Sequence, residues 1–111
     1  MDIHDLTSEM HKFVRSQGWY DVGSKRPQTP RSLAISLCLE ASEVLEHFQW
    51  SEISHDQQEL ASELADVTLY LLQLASISNI DLEKAVLEKL ARNYKRTWDQ
   101  VTKPDLPETS G

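Results

Sequence analysis

The 111-residue sequence contains one cysteine, three glycines and four prolines. One cysteine excludes an internal disulfide framework and a cysteine-built zinc site. So few glycines and prolines argue against a sandwich or barrel, whose many turns draw on both residues. Positive charge is also scarce. Eleven Lys and Arg stand against eighteen Asp and Glu, a net charge of −7, which disfavours duplex DNA or an anionic membrane as a main partner. No unbroken apolar run approaches the ~18 residues of a membrane span, and the charged start Met1-Asp2-Ile3-His4-Asp5 is unlike a signal peptide. The expectation is a cytoplasmic protein with neither nucleic acid nor membrane as partner. What the sequence does have is the length for one hydrophobic core and a surplus of carboxylates, which leaves room for a cation. Cys38, inside Leu37-Cys38-Leu39, is expected to be a small core residue.

Apolar residues recur at helical spacing in four segments. Ile3, Leu6, Met10, Phe13 and Val14 predict a helix over about 3–17, stopped by Gly18. Residues 19–30 hold Gly23, Pro27 and Pro30 and read as a loop, long for a compact domain. A second helix is predicted from Arg31 or Ser32 to about Trp50. Its apolar residues lie on more than one face, so neighbours should enclose it. A third, over about 56–77, is apolar almost all round from Leu60, which predicts a central helix or one in a subunit interface. A fourth runs from the N-cap Asp81 to about Asp99. The expected architecture is an all-α four-helix bundle over residues 1–101, followed by a disordered tail over 102–111.

The chemistry falls on the second and third helices. Glu40 and Glu43 are three apart, so they share a helical face, and so do Glu63 and Asp66. Both pairs stand among apolar residues, where carboxylates are rare unless paired or bound to metal. If the two helices pack side by side, four carboxylates meet in one patch, and a divalent cation relieves their repulsion. An all-oxygen set selects Mg²⁺, with Mn²⁺ also suited, over zinc, and Mg²⁺ so held commonly binds substrate phosphates. Tyr70 follows Asp66 by one turn, and Trp50 follows Glu43 by two turns, so an aromatic side chain can reach a ligand's base from either; the alternative for each is core packing. Lys89, Asn93 and Arg96 form one polar stripe on the fourth helix, the alternative there being a solvated face. Glu46 continues the Glu40 and Glu43 face as a supporting residue. His4, His11, His47 and His55 show no ligand spacing and read as surface or loop residues.

The stretch from Pro30-Arg31-Ser32 through Leu39-Glu40-Ala41-Ser42-Glu43 to Phe48-Gln49-Trp50, then Glu63-Leu64-Ala65-Asp66, then Lys89-Leu90-Ala91-Arg92-Asn93, resembles the MazG-type nucleotide pyrophosphohydrolases, in particular their short dCTP-pyrophosphatase-like branch. The resemblance covers about residues 10–98. It implies an all-α, Mg²⁺-dependent enzyme that hydrolyses a nucleoside triphosphate between its α and β phosphates, with dCTP or a modified dCTP as substrate, in nucleotide-pool house-cleaning, and it implies a homodimer or homotetramer. It also implies that Glu40, Glu43, Glu63 and Asp66 are metal ligands, with Glu43 or Glu40 activating water. Trp50 and Tyr70 match aromatics near the base, Lys89 and Asn93 match nucleotide contacts, and Trp19 matches an aromatic of the first loop. Arg96 extends the Lys89–Asn93 stripe. Leu39 stands where the longer motif has a first acid, and Met10 where animal relatives place a base-site histidine.

Two other classes fit the residues. A di-metal carboxylate bundle uses Glu-x-x-His on two helices, and the single match here, Glu52 with His55, falls in the short connection before the third helix. A non-catalytic helical oligomerisation or interaction module would leave the acids merely solvated.

Overall fold

The computed structural model describes the backbone of residues 1–100 and the side chains of residues 1–96. It is all-α: α1 is Ile3–Ser16, α2 Pro30–Glu46, α3 Gln57–Ile77 and α4 Leu82–Gln100, in chain order, with no strand among the described residues. The expected tail over 102–111 lies outside the described residues. The chain divides after Asn79 into two compact units. The first holds α1, α2 and α3, and the second holds α4.

Each helix begins where a side chain satisfies its orphan N–H groups. Asp2 caps α1 and Thr29 caps α2, each in a reciprocal pair with the residue three further on, Asp5 and Ser32. Pro30 takes the first position of α2, where its missing N–H costs nothing. Asp56 caps α3, and Asp81 accepts the N–H of Lys84 at 3.1 Å at the start of α4, as expected of it. Gly18 ends α1 at φ +73°, and a Cβ there would also meet Asp21 Oδ2 at 3.1 Å. The α2 helix stops at Glu46, four residues short of its predicted end. The His47 N–H turns to the Val44 carbonyl and the Phe48 N–H to that of Leu45, which tightens the last turn while the His47 ring is drawn into the protein.

In the first unit α3 packs against both α1 and α2. Met10 and Val14 of α1, Leu33 of α2, and Leu72 and Ala75 of α3 form the buried core, each large side chain contributing about 1.5–3 kcal/mol on burial. The α2 stripe that turns inward is Leu33, Ser36, Leu37, Glu40, Val44 and His47. Cys38 is out of phase with it and is exposed, contrary to the core position expected from its apolar neighbours. Although polar residues interrupt α3, it is long and apolar enough on average to cross a bilayer. Those polar residues are engaged inside the unit: Glu63 bonds to His47, and Gln73 bonds to Tyr20 and Gln28.

Candidate functional site

The inward stripe of α2 and the facing stripe of α3 bring the four predicted acids together. Burial pushes the Glu40 carboxyl above the ordinary carboxylate range. A hydrogen bond shared with Glu43 and the charges of Glu43, Asp66 and Glu63 raise it further. One carboxylate thus feels all three others, across two helices. Glu40 Oε2 is buried with no hydrogen-bond partner, an arrangement that costs free energy unless something positive meets it. Glu63 is fixed from behind. His47, only 5 % exposed, places Nε2 at 2.5 Å from Glu63 Oε2 and Nδ1 at 2.8 Å from Ser54 Oγ. A carboxylate only accepts, so Nε2 carries the proton and donates it. The His47 ring stacks on His55 at 4.8 Å.

Among the described residues, no three His, Cys, Asp or Glu side chains are closed around a common point. The acids converge without closing, as four like charges do. Their donor set is all oxygen, with an orphaned Glu40 Oε2 at its centre, and so suits a hard divalent cation such as Mg²⁺ or Mn²⁺. Glu40, Glu43, Glu63 and Asp66 would hold it once drawn closer together.

Beside the acids lies a cleft of about 590 Å³ enclosed by α1, the 17–29 loop, α2 and α3. Its walls are apolar and aromatic: Met10, Phe13, Val14 and Trp19 on one side, Leu33, Leu69 and Tyr70 on the other. Phe13 and Trp19 meet edge to face at 5.6 Å, and the Arg26 guanidinium lies 4.4 Å over the Trp19 ring. Asp66 forms part of the wall. The cleft and the acid cluster therefore share a residue.

Of the residues singled out in the sequence, Glu40, Glu43, Glu63 and Asp66 come together, and Trp19 and Tyr70 both line the cleft. Trp50 does not line it and is 90 % exposed. Lys89, Asn93 and Arg96 lie on α4, in the second unit, spaced to share one face of that helix. Met10 lines the cleft. Two histidines read as surface or loop residues are neither. His47 supports Glu63. His11 bridges Tyr20 Oη at 2.6 Å and Ser76 Oγ at 2.8 Å. Spacing gave no sign of either role, because the partners lie on other segments. The buried Gln73, inside an apolar helix, was the one visible anomaly.

The model of the MazG-like family matches residues 35–103. Among curated proteins the chain is 34 % identical over 104 residues to dCTP pyrophosphatase 1 of Rattus norvegicus and 36 % identical to that of Homo sapiens. Each match covers 86 % of this chain and 56 % of the relative, so the chain spans little more than half the length of these proteins. A crystal structure of a pyrophosphatase from Archaeoglobus fulgidus superposes with a TM-score of 0.73 at 31 % identity, covering 85 % of this chain and 90 % of that one. The family match spans more than half of the chain and includes both acidic pairs: the chain belongs to the MazG-like family.

Proposed function

We propose that this chain is a Mg²⁺-dependent nucleoside triphosphate pyrophosphohydrolase, with Mn²⁺ able to replace Mg²⁺. It cleaves between the α and β phosphates of dCTP or a modified dCTP and releases the monophosphate and pyrophosphate, a house-cleaning activity on the nucleotide pool. The observation that carries the reading is Asp66, which belongs both to the four-carboxylate cluster and to the wall of an aromatic cleft. A triphosphate held at the acids would place its base in that cleft. The names of the curated relatives support dCTP as the substrate.

A divalent cation bound by the four acids supplies charge neutralisation and Lewis-acid polarisation of the phosphoryl oxygens. Glu43 or Glu40 orients a water molecule and takes its proton as it attacks. The water oxygen bonds to the α phosphorus, the bond from that phosphorus to the bridging oxygen breaks, and pyrophosphate departs. Tyr70 and Trp19 flank the base in the cleft. Lys89 and Asn93 contact the nucleotide, and Arg96 extends their stripe. The protein works as a homodimer or homotetramer. In support, Ile35, Leu39 and Leu45 of α2 and Leu64 of α3 are exposed, more apolar surface than a helical unit of this size normally leaves to water.

The test is a panel of NTPs and dNTPs read by pyrophosphate release, with and without Mg²⁺. dCTP should lead the panel, and release should stop when EDTA is added. A melting temperature unmoved by Mg²⁺ together with a non-hydrolysable nucleotide would favour a non-catalytic helical module, since a ligand that binds the native state must raise it.

A further inference from the structure

We infer that the Gln73 side-chain carbonyl is the base-reading group of the cleft, and that it selects a base carrying an exocyclic amine, such as cytosine, over one carrying a keto oxygen at that position. The inference rests on the nucleotide reading above and adds to it the residue that makes the choice.

The hydrogen bonds behind the cleft begin at an acceptor that cannot be reversed. The Arg26 backbone carbonyl only accepts, and Gln28 Nε2 lies 2.6 Å from it, so the Gln28 amide faces it with its NH₂. Gln28 Oε1 is thereby turned toward Gln73, whose Nε2 donates to it at 2.7 Å. The second proton of Gln73 Nε2 goes to Tyr20 Oη at 3.2 Å. With the His11 proton on Nε2, Tyr20 donates its own proton to His11 Nδ1 at 2.6 Å and His11 Nε2–H donates to Ser76 Oγ at 2.8 Å; the opposite tautomer reverses both bonds. The ionisation states agree with this direction. Burial, and then the Arg15 charge, hold the His11 pKa below its ordinary value. Burial also raises that of Tyr20, against smaller opposing effects of Gln73 and Arg15. The imidazole is thus neutral and the phenol protonated. The Gln28 and Gln73 amides each have one orientation, fixed from the Arg26 carbonyl.

This order fixes what Gln73 offers. Both amide protons are committed within the protein, and among the described residues nothing bonds to Oε1. The side chain is only 3 % exposed and lines the cleft. Gln73 Oε1 is unbonded but not sealed from solvent, so it stays reachable from the cleft: an incoming N–H can pair with it, whereas an incoming C=O strips its solvent and offers no donor in return. Gln73 follows Asp66 by seven residues, two turns or about 10 Å along α3, and Tyr70 lies on the same face between them. A base flanked by Tyr70 therefore presents its edge to Gln73 while its phosphates reach the acids. Flipping the amide would break the bonds to Gln28 and Tyr20 together, so a keto base cannot recruit the NH₂. Stacking does not discriminate between bases; this carbonyl does.

The experiment compares dCTP with dUTP, which differ at this edge. Turnover is measured on the wild type, and binding on Glu43→Gln, by calorimetry with Mg²⁺. In both assays the wild-type binding site should favour dCTP by up to roughly 100-fold, the upper end of what one polar group left unpaired costs. Gln73→Met, similar in length and without the carbonyl, should bring the ratio below about tenfold, mostly through KM for dCTP. Gln28→Met unlocks the amide and should raise kcat/KM for dUTP above wild type, a gain that a merely structural role cannot give. A wild-type preference near unity, or a Gln73→Met variant in which both nucleotides weaken equally, overturns the inference. If dCTP is bound selectively but not hydrolysed, the hydrolase reading fails and the role of Gln73 stands.

Discussion

Removing His47 tests whether a buried imidazole holds the acid cluster in shape. The ring donates to Glu63 at 2.5 Å and pairs with Ser54 at 2.8 Å. A hydrogen bond to a charged group contributes about 1.5–3 kcal/mol and a neutral one about 0.5–1.5 kcal/mol. His47→Ala removes both, opens a cavity and leaves Glu63 without its donor, so the loss should be about 3 kcal/mol. For a domain of this size, at roughly 4 °C or more per kcal/mol, the melting temperature should fall by about 12 °C. His47→Gln keeps an N–H donor for Glu63 and gives up the Ser54 link, so it should recover more than half of that loss. Both variants are melted by calorimetry at one protein concentration, since self-association would move the midpoint. A Mn²⁺ titration then separates fold from site. Residues that orient metal ligands typically cost about 10–100-fold in metal affinity when lost, and His47→Ala should weaken Mn²⁺ by that order while His47→Gln recovers it. An Ala variant that melts within about 2 °C of wild type would show that the His47–Glu63 bond contributes nothing net. Unchanged Mn²⁺ affinity would refute the positioning role even if the protein were destabilised.

Three further outcomes follow from the same cluster and its surroundings. Glu43→Gln should lower kcat for pyrophosphate release by about 100-fold or more, the usual scale of a general base, while its cation-free melting temperature stays level or rises because one repelling charge is gone. Glu40 has a raised folded-state pKa, so the folded state holds its proton more tightly than the unfolded chain does. Its contribution to stability is present below the ordinary carboxylate range and is lost as pH rises through the shifted value. In EDTA the wild type should lose melting temperature with rising pH more steeply than Glu40→Gln, and parallel profiles would contradict the burial of Glu40. Trp50 is 90 % exposed and lies outside the cleft, so Trp50→Ala should change the melting temperature by no more than a surface substitution does and leave KM unaltered; a KM raised by a similar factor for every nucleotide would bring Trp50 into the binding machinery.

The number, type and order of the helices were legible because the apolar residues carry the helical period. So were the caps at Asp81 and Gly18, whose chemistry is local. The two acidic pairs were legible too, because charges on one face of an apolar segment need no knowledge of the partner helix to look anomalous. What the sequence could not reveal was pairing at a distance. His47 finds Glu63 sixteen residues away, and His11 finds Ser76 sixty-five away; neither offset has a periodic signature. The end of α2 was misplaced for the same reason, since local propensity carries the helix on to Trp50 while the buried His47 turns it aside. Cys38 failed differently. Its neighbours Leu37 and Leu39 suggested burial, but a helix turns each residue about 100° from the last, so apolar neighbours in sequence do not share a face.

The reading of α3 is what joins these parts. Glu63, Asp66, Tyr70 and Gln73 are spaced three, four and three residues apart, so one face of one helix carries two acids, an aromatic ring and an oriented amide in that order. The stripe spans ten residue steps, about 15 Å at the rise of an α-helix. A nucleotide laid along it meets carboxylates at its phosphate end and an acceptor at its base end, with a ring between them, and the reverse orientation pairs phosphates with the lone pairs of Gln73. On the proposed reading, the order of residues on this single helix sets the polarity of the ligand. The other elements supply the rest: α2 completes the acids, His47 and Ser54 steady them, and Gln28, Tyr20 and His11 fix the amide. For this reason α3 must carry polar groups at its centre despite an apolar average. Any change that relieved their burial by moving them off this face would also unmake the correspondence between the cluster and the cleft.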